Sequence, residues 1–405
     1  MKITKKAVAG RLERDDIRIE VEPGRGRKIE LKSSIGQMFG DRIRVDIESE
    51  LDRLGVKSVK LTAEDDGALN YIIAARVESA IVAASGKKTA PKIATREIKV
   101  IPDRLRRSRL YLPGNTPHLF INARLFGADM LFLDLEDSVP PAEKEASRYV
   151  VRNTLLAVDF GDSEVAVRIN PLSSPFGIDD LEVIVPGGPE LIVLPKAESA
   201  ADIERLKSEI FRIQNEAGTD FDIGIVPLIE SAKGVINAAE IASVEGVIML
   251  AFGAEDFTKD IGAERTRDGK EQFVARSQII LAAKAFGKMA SDTVFSDLAD
   301  TDGLIASTTE AKALGFDGRG LIHPAQIEPV HKVFAPTEDE LIYAVKVIEA
   351  ADEAERSGSG VVALGRKMID PPVVARARRQ LALAEKIGIE IPEIGEEKEE
   401  RITNL

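Results

Sequence analysis

In the middle of the 405-residue chain, short apolar runs alternate with helical patterns, and this alternation constrains the fold more than any other feature. Eight runs have the length and composition of buried strands: Arg109–Leu112, Met130–Leu133, Val165–Ile169, Leu191–Leu194, Ile223–Ile229, Val247–Phe252, Met289–Val294 and Gly320–Ile322. Helical patterns such as Ala200–Asn215 and Phe273–Phe286 separate them. Eight βα units in about 230 residues are typical of a (β/α)8 TIM barrel. A doubly wound sheet is the alternative, but no G-x-G-x-x-G sequence follows the first strand.

Polar side chains follow six consecutive strand candidates, at or just after the point where each run ends. They are Asn115, Glu136 and Asp137, Arg168 and Asn170, Lys196, Glu230, and Asp256. In a barrel the C-terminal ends of all strands converge on one mouth, where active sites lie. A single acid at a strand end is more often only solvated, but six consecutive strands with this pattern indicate a site.

Two of these acids end neighbouring strands. Glu230 closes the fifth run, Glu255 and Asp256 follow the sixth, and Ser231–Ala242 between them has the pattern of one short amphipathic helix. A strand–helix–strand unit is a right-handed parallel crossover, which brings both strand ends to the same edge. Because the chain has no cysteine and only three histidines, paired carboxylates favour a hard cation such as Mg2+. Solvated acids at the strand ends are the alternative interpretation.

The segments that flank the barrel pattern predict two further parts. The elements of the first part, a small α+β domain, are strands over Ile17–Val21, Ile29–Leu31 and Val59–Leu61 and helices over Phe39–Leu51 and Ala68–Ala84. After the barrel, Glu338–Arg356 and Pro372–Lys386 predict helices on either side of a turn at Gly365, and this helical appendage is long enough for subunit contacts. The predicted domains are 1–85, a linker at 86–103, the barrel at 104–335, and a C-terminal extension at 336–405.

Composition excludes several classes of function. The sequence has no run of 18 apolar residues and no charged-then-apolar leader, so we expect neither a membrane span nor a secretory signal, and we expect a cytoplasmic location. The absence of cysteine removes disulfides, thiolate metal sites and a cysteine nucleophile. A net charge of -13 argues against a nucleic-acid partner.

Eight sequence strings in the barrel and its extension are characteristic of one family. They are RRSRLYLPGN, LFLDLEDSV, VRINP, VLPKAES, PLIESAKG, FGAEDF, GFDGRGLIHPAQI and GRKMIDPPVVARA. With these strings, the segment from Arg107 to about Lys386 resembles the β-subunit of citrate lyase and the related malyl-CoA and citramalyl-CoA lyases. The resemblance implies a Mg2+-dependent TIM-barrel lyase that cleaves a 3-hydroxyacyl thioester, such as a CoA thioester, into a 2-oxo acid such as oxaloacetate and an acetyl-type thioester.

Two alternatives to this activity stay open. The same site could run a malate synthase-like or thioesterase activity, or the chain could be a non-catalytic organising subunit of a citrate lyase-like complex. The resemblance also implies a homo-oligomer, either a trimer or a hexamer, and an α-type citrate lyase subunit as a candidate partner.

The first domain resembles the acyl carrier protein of the same complex, the γ-subunit, through AVAGRLERDDIRIEV, GDRIRVDIESEL and DDGALNYIIAARVESAI. In that family the loop that resembles AGRLERDD presents a serine, which carries a CoA-derived prosthetic arm. Arg14 stands at this position, and Ser33 and Ser34 do not replace the serine. Because a guanidinium cannot accept the phosphodiester, we expect no covalent arm. The domain is then a structural appendage, or Arg14 contacts the phosphates of free CoA thioesters.

The resemblance implies a metal and carboxylate site at the mouth. Glu230 and Asp256 are the implied metal ligands, and Glu255 is the rival to Asp256, although a neighbouring residue on an extended segment would face the other way. Arg168 is the implied clamp for the substrate carboxylate. Glu136 and Asp137 are expected to support the metal ligands through water or hydrogen bonds.

Further roles concern the thioester end and the proton. Arg107 and the turn Pro113-Gly114-Asn115 are expected to hold the thioester end, and Lys196 either binds the carbonyl oxygen or is structural. Asp370 matches an aspartate that relatives extend across a neighbouring subunit's mouth as proton donor or acceptor. An aspartate before two prolines is otherwise typical of a helix cap.

Overall fold

A computed structural model describes residues 1–95, 97–357, 362–364 and 367–392. The chain divides into two compact units, one of residues Met1–Val330 and one from His331 onward. Across the described ranges, no helix is both long enough and apolar enough to cross a membrane.

The first unit begins with a small α+β domain. Its elements are β1 (Ala7–Ala9), β2 (Ile17–Glu22), β3 (Arg27–Ser33), α1 (Gly36–Arg53), β4 (Val59–Asp65) and α2 (Asn70–Ser85). The sheet order is β1-β2-β4-β3, in which only β3 and β4 pair in parallel. Alternate residues of β2 are buried, including Ile17, Ile19 and Val21. The predicted strands and helices are present, whereas β1 is too short to give a periodic pattern.

Eight parallel strands then form a closed barrel, which confirms the predicted fold class. The strands are β5 (Ser108–Pro113), β6 (Met130–Asp134), β7 (Glu164–Arg168), β8 (Leu191–Leu194), β9 (Gly224–Ile229), β10 (Met249–Phe252), β11 (Met289–Asp292) and β12 (Gly318–Leu321). The helices are α3 (Lys144–Ala157), α4 (Gly177–Ile184), α5 (Ala200–Ala217), α6 (Ala232–Ile236), α7 (Ala238–Ser243), α8 (Ala254–Asp260), α9 (Phe273–Ala285), α10 (Thr301–Leu314) and α11 (Ile327–Phe334). Strand β12 pairs with β5 and closes the ring.

Apolar side chains fill the interior of the barrel. Phe132, Val193, Leu228 and Ala251, among others, form one buried cluster contributed by neighbouring strands. The interior is therefore a packed core, and space for a ligand is found at the mouth, as is usual for this fold.

The connection between β9 and β10 differs from the prediction of one helix over Ser231–Ala242. It contains two short helices, α6 and α7, which meet at Asn237. The side-chain amide of Asn237 donates to the carbonyl oxygen of Glu198 at 2.8 Å. A short polar side chain that bonds to backbone outside its own helix offers an alternative to helix continuation, which accounts for the break.

The small domain packs against the barrel through α2, which lies against α3. Glu78 of α2 is fully buried and accepts a hydrogen bond from Arg152 of α3 at 2.6 Å. Arg53 of α1 lies 2.7 Å from the same carboxylate, and Thr89 donates to its other oxygen at 2.5 Å. The contact between the two domains therefore has a buried ion-pair cluster at its centre.

The described part of the second unit contains two helices and two short strands. The elements are α12 (Glu338–Ser357), β13 (Val362–Leu364), β14 (Lys367–Ile369) and α13 (Pro371–Lys386), and the two strands pair antiparallel. Ala344, Val347, Ile369 and Ala377 form its buried core. The predicted turn residue Gly365 lies outside the described residues.

Candidate active site

A cavity of about 360 Å3 opens at the C-terminal ends of the barrel strands. Of the predicted site residues, its lining contains Asp137, Arg168, Glu230, Glu255 and Asp256. A larger cavity, of about 630 Å3, lies beside the linker and helices α3 to α5, and none of the predicted site residues lines it. The cavity at the mouth is therefore the candidate active site.

Arg168 is fixed at the end of β7 by two acids. Its Nε and Nη2 atoms donate to the two carboxylate oxygens of Asp134 at 2.7 Å each, and Nη1 lies 3.0 Å from Glu136 Oε2. Burial opposes the charge, but Asp134 outweighs burial and holds the pKa of Arg168 well above its usual value. Since a guanidinium has five N–H donors, donors remain for a substrate carboxylate. Asp137 lies 3.8 Å from Arg168 and is mostly exposed.

Lys196 contacts acids that follow three different barrel strands, β6, β9 and β10. Its backbone N–H donates to Glu230 Oε1 at 2.7 Å, and its ammonium donates to Glu136 Oε1 at 2.9 Å and lies 3.9 Å from Asp256 Oδ2. The backbone adopts a φ of 53°, in the left-handed region that non-glycine residues rarely occupy. Such strain is typical of residues that the surrounding structure holds for a function.

Glu230 lies in surroundings that favour a cation. Burial raises the pKa of Glu230 to about 8, and the nearby carboxylates of Glu136 and Asp256 contribute to the rise. The Glu230 Oε2 atom lies only 2.8 Å from where a Cβ would stand at Gly253, so the absence of a side chain there makes room for the carboxylate. No group of three or more metal-binding side chains occurs among the described residues. A metal held by Glu230 and Asp256 would therefore take its other ligands from substrate and water.

Glu255 and Asp256, the two candidates for the second metal ligand, differ in their local contacts. Both residues lie in the first turn of α8, so the assumption of an extended segment with opposite side-chain directions is wrong. Consecutive residues of an α-helix point about 100° apart, and both residues line the cavity. Glu255 pairs with Arg265, whereas the Asp256 carboxylate lies near Lys196 and contributes to the pKa of Glu230.

The predicted thioester-binding residues separate into two groups. Arg107 precedes β5, at the end of the barrel opposite to the mouth, where its guanidinium donates to Asp129 at 2.8 Å. The structure therefore does not bring Arg107 to the cavity. Pro113 and Gly114 do lie at the mouth, where the Gly114 N–H donates to the Asp134 carbonyl at 2.7 Å. A Cβ at Gly114 would lie 2.5 Å from that oxygen, which only glycine avoids.

Two further predicted residues belong to elements other than the barrel strands. Asp370 occupies the N-cap position of α13 in the second unit and is exposed, and its side chain makes no capping hydrogen bond. Arg14 is exposed on the loop between β1 and β2, where it lies 3.4 Å from the Asp15 carboxylate. The roles of both residues stay predictions.

The cavity lining includes two charged side chains and one tyrosine that were not singled out by the strand-end pattern. Asp134 is the last residue of β6, and Arg109 and Tyr111 lie within β5. The available signal was a charged residue inside an otherwise apolar strand. Arg109 and Asp134 both have this character, because a buried charge needs a partner or a function.

Family models match both parts of the chain. A model described as HpcH/HpaI aldolase/citrate lyase matches residues 107–324, and an acyl-carrier-type model described as Malonate decarboxylase delta subunit (MdcD) matches residues 4–84. Citrate lyase subunit beta of Leuconostoc mesenteroides subsp. cremoris is 45% identical over 284 residues, which are 70% of this chain and 94% of that protein. A (3S)-malyl-CoA thioesterase of Cereibacter sphaeroides is 34% identical over 70% of this chain and 95% of that protein.

Solved structures are similar as well. Protein CitE from Mycobacterium tuberculosis, in complex with magnesium, acetoacetate and coenzyme A, has a TM-score of 0.59 and 34% identity over 70% of this chain and all of that chain. The citrate lyase beta subunit of the same organism, complexed with oxaloacetate and magnesium, has a TM-score of 0.50 and 35% identity over 58% of this chain and 99% of that chain. These similarities confirm the resemblance of both parts, with the carrier-like domain matched by the MdcD description.

Proposed function

The chain belongs to the HpcH/HpaI aldolase/citrate lyase family, and from this premise we propose that it is a Mg2+-dependent carbon–carbon lyase acting on a 3-hydroxyacyl thioester. The observation that carries the proposal is the arrangement of Glu230, Asp256 and Arg168 around one cavity at the barrel mouth. Relatives named citrate lyase subunit beta, and solved relatives with magnesium, oxaloacetate and coenzyme A, support the substrate class.

The reaction is a reversed Claisen condensation. A base removes the proton of the substrate hydroxyl, the bond to the thioester methylene breaks, and its electron pair leaves as a thioester enolate that is then protonated. The products are a 2-oxo acid and an acetyl-type thioester. When bound, Mg2+ supplies Lewis acidity to the hydroxyl and the adjacent carboxylate. We assign its binding to Glu230 and Asp256.

The chain's own residues bind and orient the substrate. Arg168 offers its remaining donors to the carboxylate beside the hydroxyl, and Asp134 and Glu136 keep the guanidinium plane fixed. Lys196 holds Glu230 and Glu136 in place and adds positive charge near the developing carbonyl oxygen. Asp370, from a neighbouring copy, is the proposed proton donor or acceptor.

The remaining parts of the proposal concern assembly. We propose a homo-oligomer with an α-type citrate lyase subunit as partner, a cytoplasmic location, and a carrier-like domain that serves as an appendage. The exposed Arg14 at the position of the attachment serine supports the last point. The domain limits remain 1–85, 104–335 and 336–405, with a linker at 86–103.

A second candidate is thioester hydrolysis on the same site, which the relative named (3S)-malyl-CoA thioesterase favours. The two activities differ in their products. A lyase releases a 2-oxo acid and keeps the thioester bond, whereas a thioesterase releases free CoA.

The deciding experiment is turnover of citryl-, citramalyl- and malyl-CoA with and without Mg2+, with 2-oxo acid and free thiol measured separately. We expect 2-oxo acid without free thiol, and we expect E230Q to lower Mg2+-dependent turnover by at least about 100-fold. E245Q, at an exposed glutamate, is the matched control. Free thiol as the main product would establish hydrolysis, and an inactive wild type would leave the organising-subunit alternative.

A further inference from the structure

Arg109 is a buried cation beside the active-site cavity, and no acid of the described residues forms an ion pair with it. It is 1% exposed and lines the cavity at the mouth. Its Nη2 atom donates to the Asp292 backbone oxygen at 2.8 Å, and Nη1 lies 3.5 Å from the Tyr111 hydroxyl. The Nε atom is buried without a hydrogen-bond partner in the described part of the chain. Two of its five N–H groups thus have partners among the described residues.

The charges around Arg109 leave this side of the mouth positive. The nearest acid along β11, Asp292, is already paired with Arg276 at 2.9 Å. Arg319 is equally buried and has neutral oxygen partners, such as the Thr308 hydroxyl at 2.8 Å. Arg276 also pairs with Glu310 at 2.8 Å, so in the described part of the chain the three guanidinium groups have one buried and one exposed carboxylate among them. Burial lowers the pKa of Arg109, which is the sign of a charge without adequate compensation.

A glycine on β12, which pairs with β5, leaves space for the Arg109 side chain. A Cβ at Gly320 of β12 would lie 3.3 Å from Arg109 Nη2 and 2.8 Å from Val294 Cγ1, so even alanine would crowd the site. Burying an unpaired charge is strongly unfavourable, and an apolar side chain on β5 would avoid that cost. Binding of an anion would explain why the site has a buried arginine at position 109 and a glycine at position 320 that leaves room for it.

Arg109 and Arg168 lie on the same wall of the cavity. Both guanidinium groups lie near the ring of Tyr111, whose centroid is 5.9 Å from the Arg109 guanidinium carbon and 5.0 Å from that of Arg168. Two guanidinium groups that line one cavity suit a ligand with two carboxylates. Only one of these carboxylates is adjacent to the hydroxyl and is assigned to Arg168.

We propose that Arg109 binds a second carboxylate of the substrate and selects a 3-hydroxyacyl thioester with a carboxymethyl branch at the hydroxyl carbon. A citryl thioester has this branch and yields a dicarboxylic 2-oxo acid. Citramalyl and malyl thioesters have a methyl group and a hydrogen there. The inference rests on the proposed function, since it names the substrate of the same site.

The test compares kcat/KM for citryl-CoA and citramalyl-CoA in the wild type, R109M and R109K. We expect the wild type to prefer citryl-CoA. R109M should lose about 100-fold or more on citryl-CoA, as expected for truncation of a buried charge pair. It should stay within about threefold of the wild type on citramalyl-CoA, which lacks the second carboxylate. R109K, which keeps the charge but not the planar fork, should fall between.

R319M is the matched control, because Arg319 is equally buried and bonds to neutral oxygens in the part of the chain that the structure describes, but does not line the cavity. It should leave the ratio of the two substrates unchanged. A second readout that does not need turnover is calorimetric binding of oxaloacetate and pyruvate with Mg2+ present. R109M should raise the Kd for oxaloacetate at least tenfold, which is a loss of about 1.4 kcal/mol in binding free energy. It should leave the Kd for pyruvate unchanged.

Three results would overturn the proposal. A parallel loss on both substrates in R109M would assign Arg109 to the support of the barrel. An unchanged citryl-CoA value would remove it from the site, as would a wild type that prefers citramalyl-CoA. A wild type that cleaves no thioester in this series would instead refute the proposed function, so the two failures are distinguishable.

Discussion

The buried ion pair between the carrier-like domain and the barrel gives a prediction that can be worked quantitatively. Burial alone would raise the pKa of Glu78, but Arg152 and Arg53 outweigh burial and lower it from 4.5 to about 2. At about 1.4 kcal/mol per pH unit, this difference corresponds to about 3 kcal/mol of folding free energy. Loss of one partner of a buried pair costs a similar amount, about 3–5 kcal/mol.

The sign of the pH dependence follows from the direction of the change. The folded-state pKa of Glu78 is below its ordinary value, so the stabilisation is complete above about pH 4.5 and is lost as the pH falls towards about 2. We therefore expect E78Q to lower the free energy of unfolding by about 3 kcal/mol at pH 7. The difference between E78Q and the wild type should shrink progressively below pH 4.5.

Urea unfolding followed by circular dichroism at several pH values measures this difference. E30Q is the matched control, because Glu30 pairs with Lys28 on the exposed face of β3, and loss of such a solvated pair should leave the free energy of unfolding essentially unchanged. The reasoning would be refuted by an E78Q variant as stable as E30Q at pH 7. It would also be refuted by a destabilisation that persists unchanged at pH 2.5.

Three further predictions concern the site and the carrier-like loop. Because burial raises the pKa of Glu230 to about 8, the Mg2+ affinity of the metal-free protein should rise about tenfold per pH unit up to that pH, and a calorimetric titration with constant affinity between pH 6 and 8 would contradict this. G253A should displace the Glu230 carboxylate and lower Mg2+-dependent turnover about 10- to 100-fold. The control G40A, whose Cβ meets open space, should keep the turnover of the wild type. Equal turnover of the two variants would count against Glu230 as a metal ligand. Mass spectrometry of the purified chain should give the unmodified mass, since Arg14 cannot carry the arm, and an added arm mass would disprove this.

The sequence predicted the barrel well because buried parallel strands are short, apolar and separated by helices. The observed strand Leu191–Leu194 coincides with its predicted limits, and the others differ by a few residues at their ends. The positions of Arg168, Glu230 and Asp256 at strand ends also predicted that these residues lie around one cavity, because all strands of a parallel barrel end at the same mouth.

The direction of individual side chains was harder to predict. A strand that is buried on both faces shows no alternation of polar and apolar residues, so the pattern of β5 does not reveal which residues face the interior. The prediction selected Arg107, whereas Arg109 is the arginine that lines the cavity. The sequence also did not predict that Asp256 lies in a helix or that Lys196 has a left-handed backbone, since both depend on tertiary context.

The two hydrogen bonds that Lys196 donates differ in how they respond to substitution of this residue. The bond to Glu230 comes from the main chain, so every replacement except proline retains the donor, and glycine would adopt the required φ with less strain. The bond to Glu136 comes from the ammonium and is lost with most substitutions. Evolution or an engineer can therefore vary the charge at this point of the mouth without disturbing the orientation of the neighbouring carboxylate.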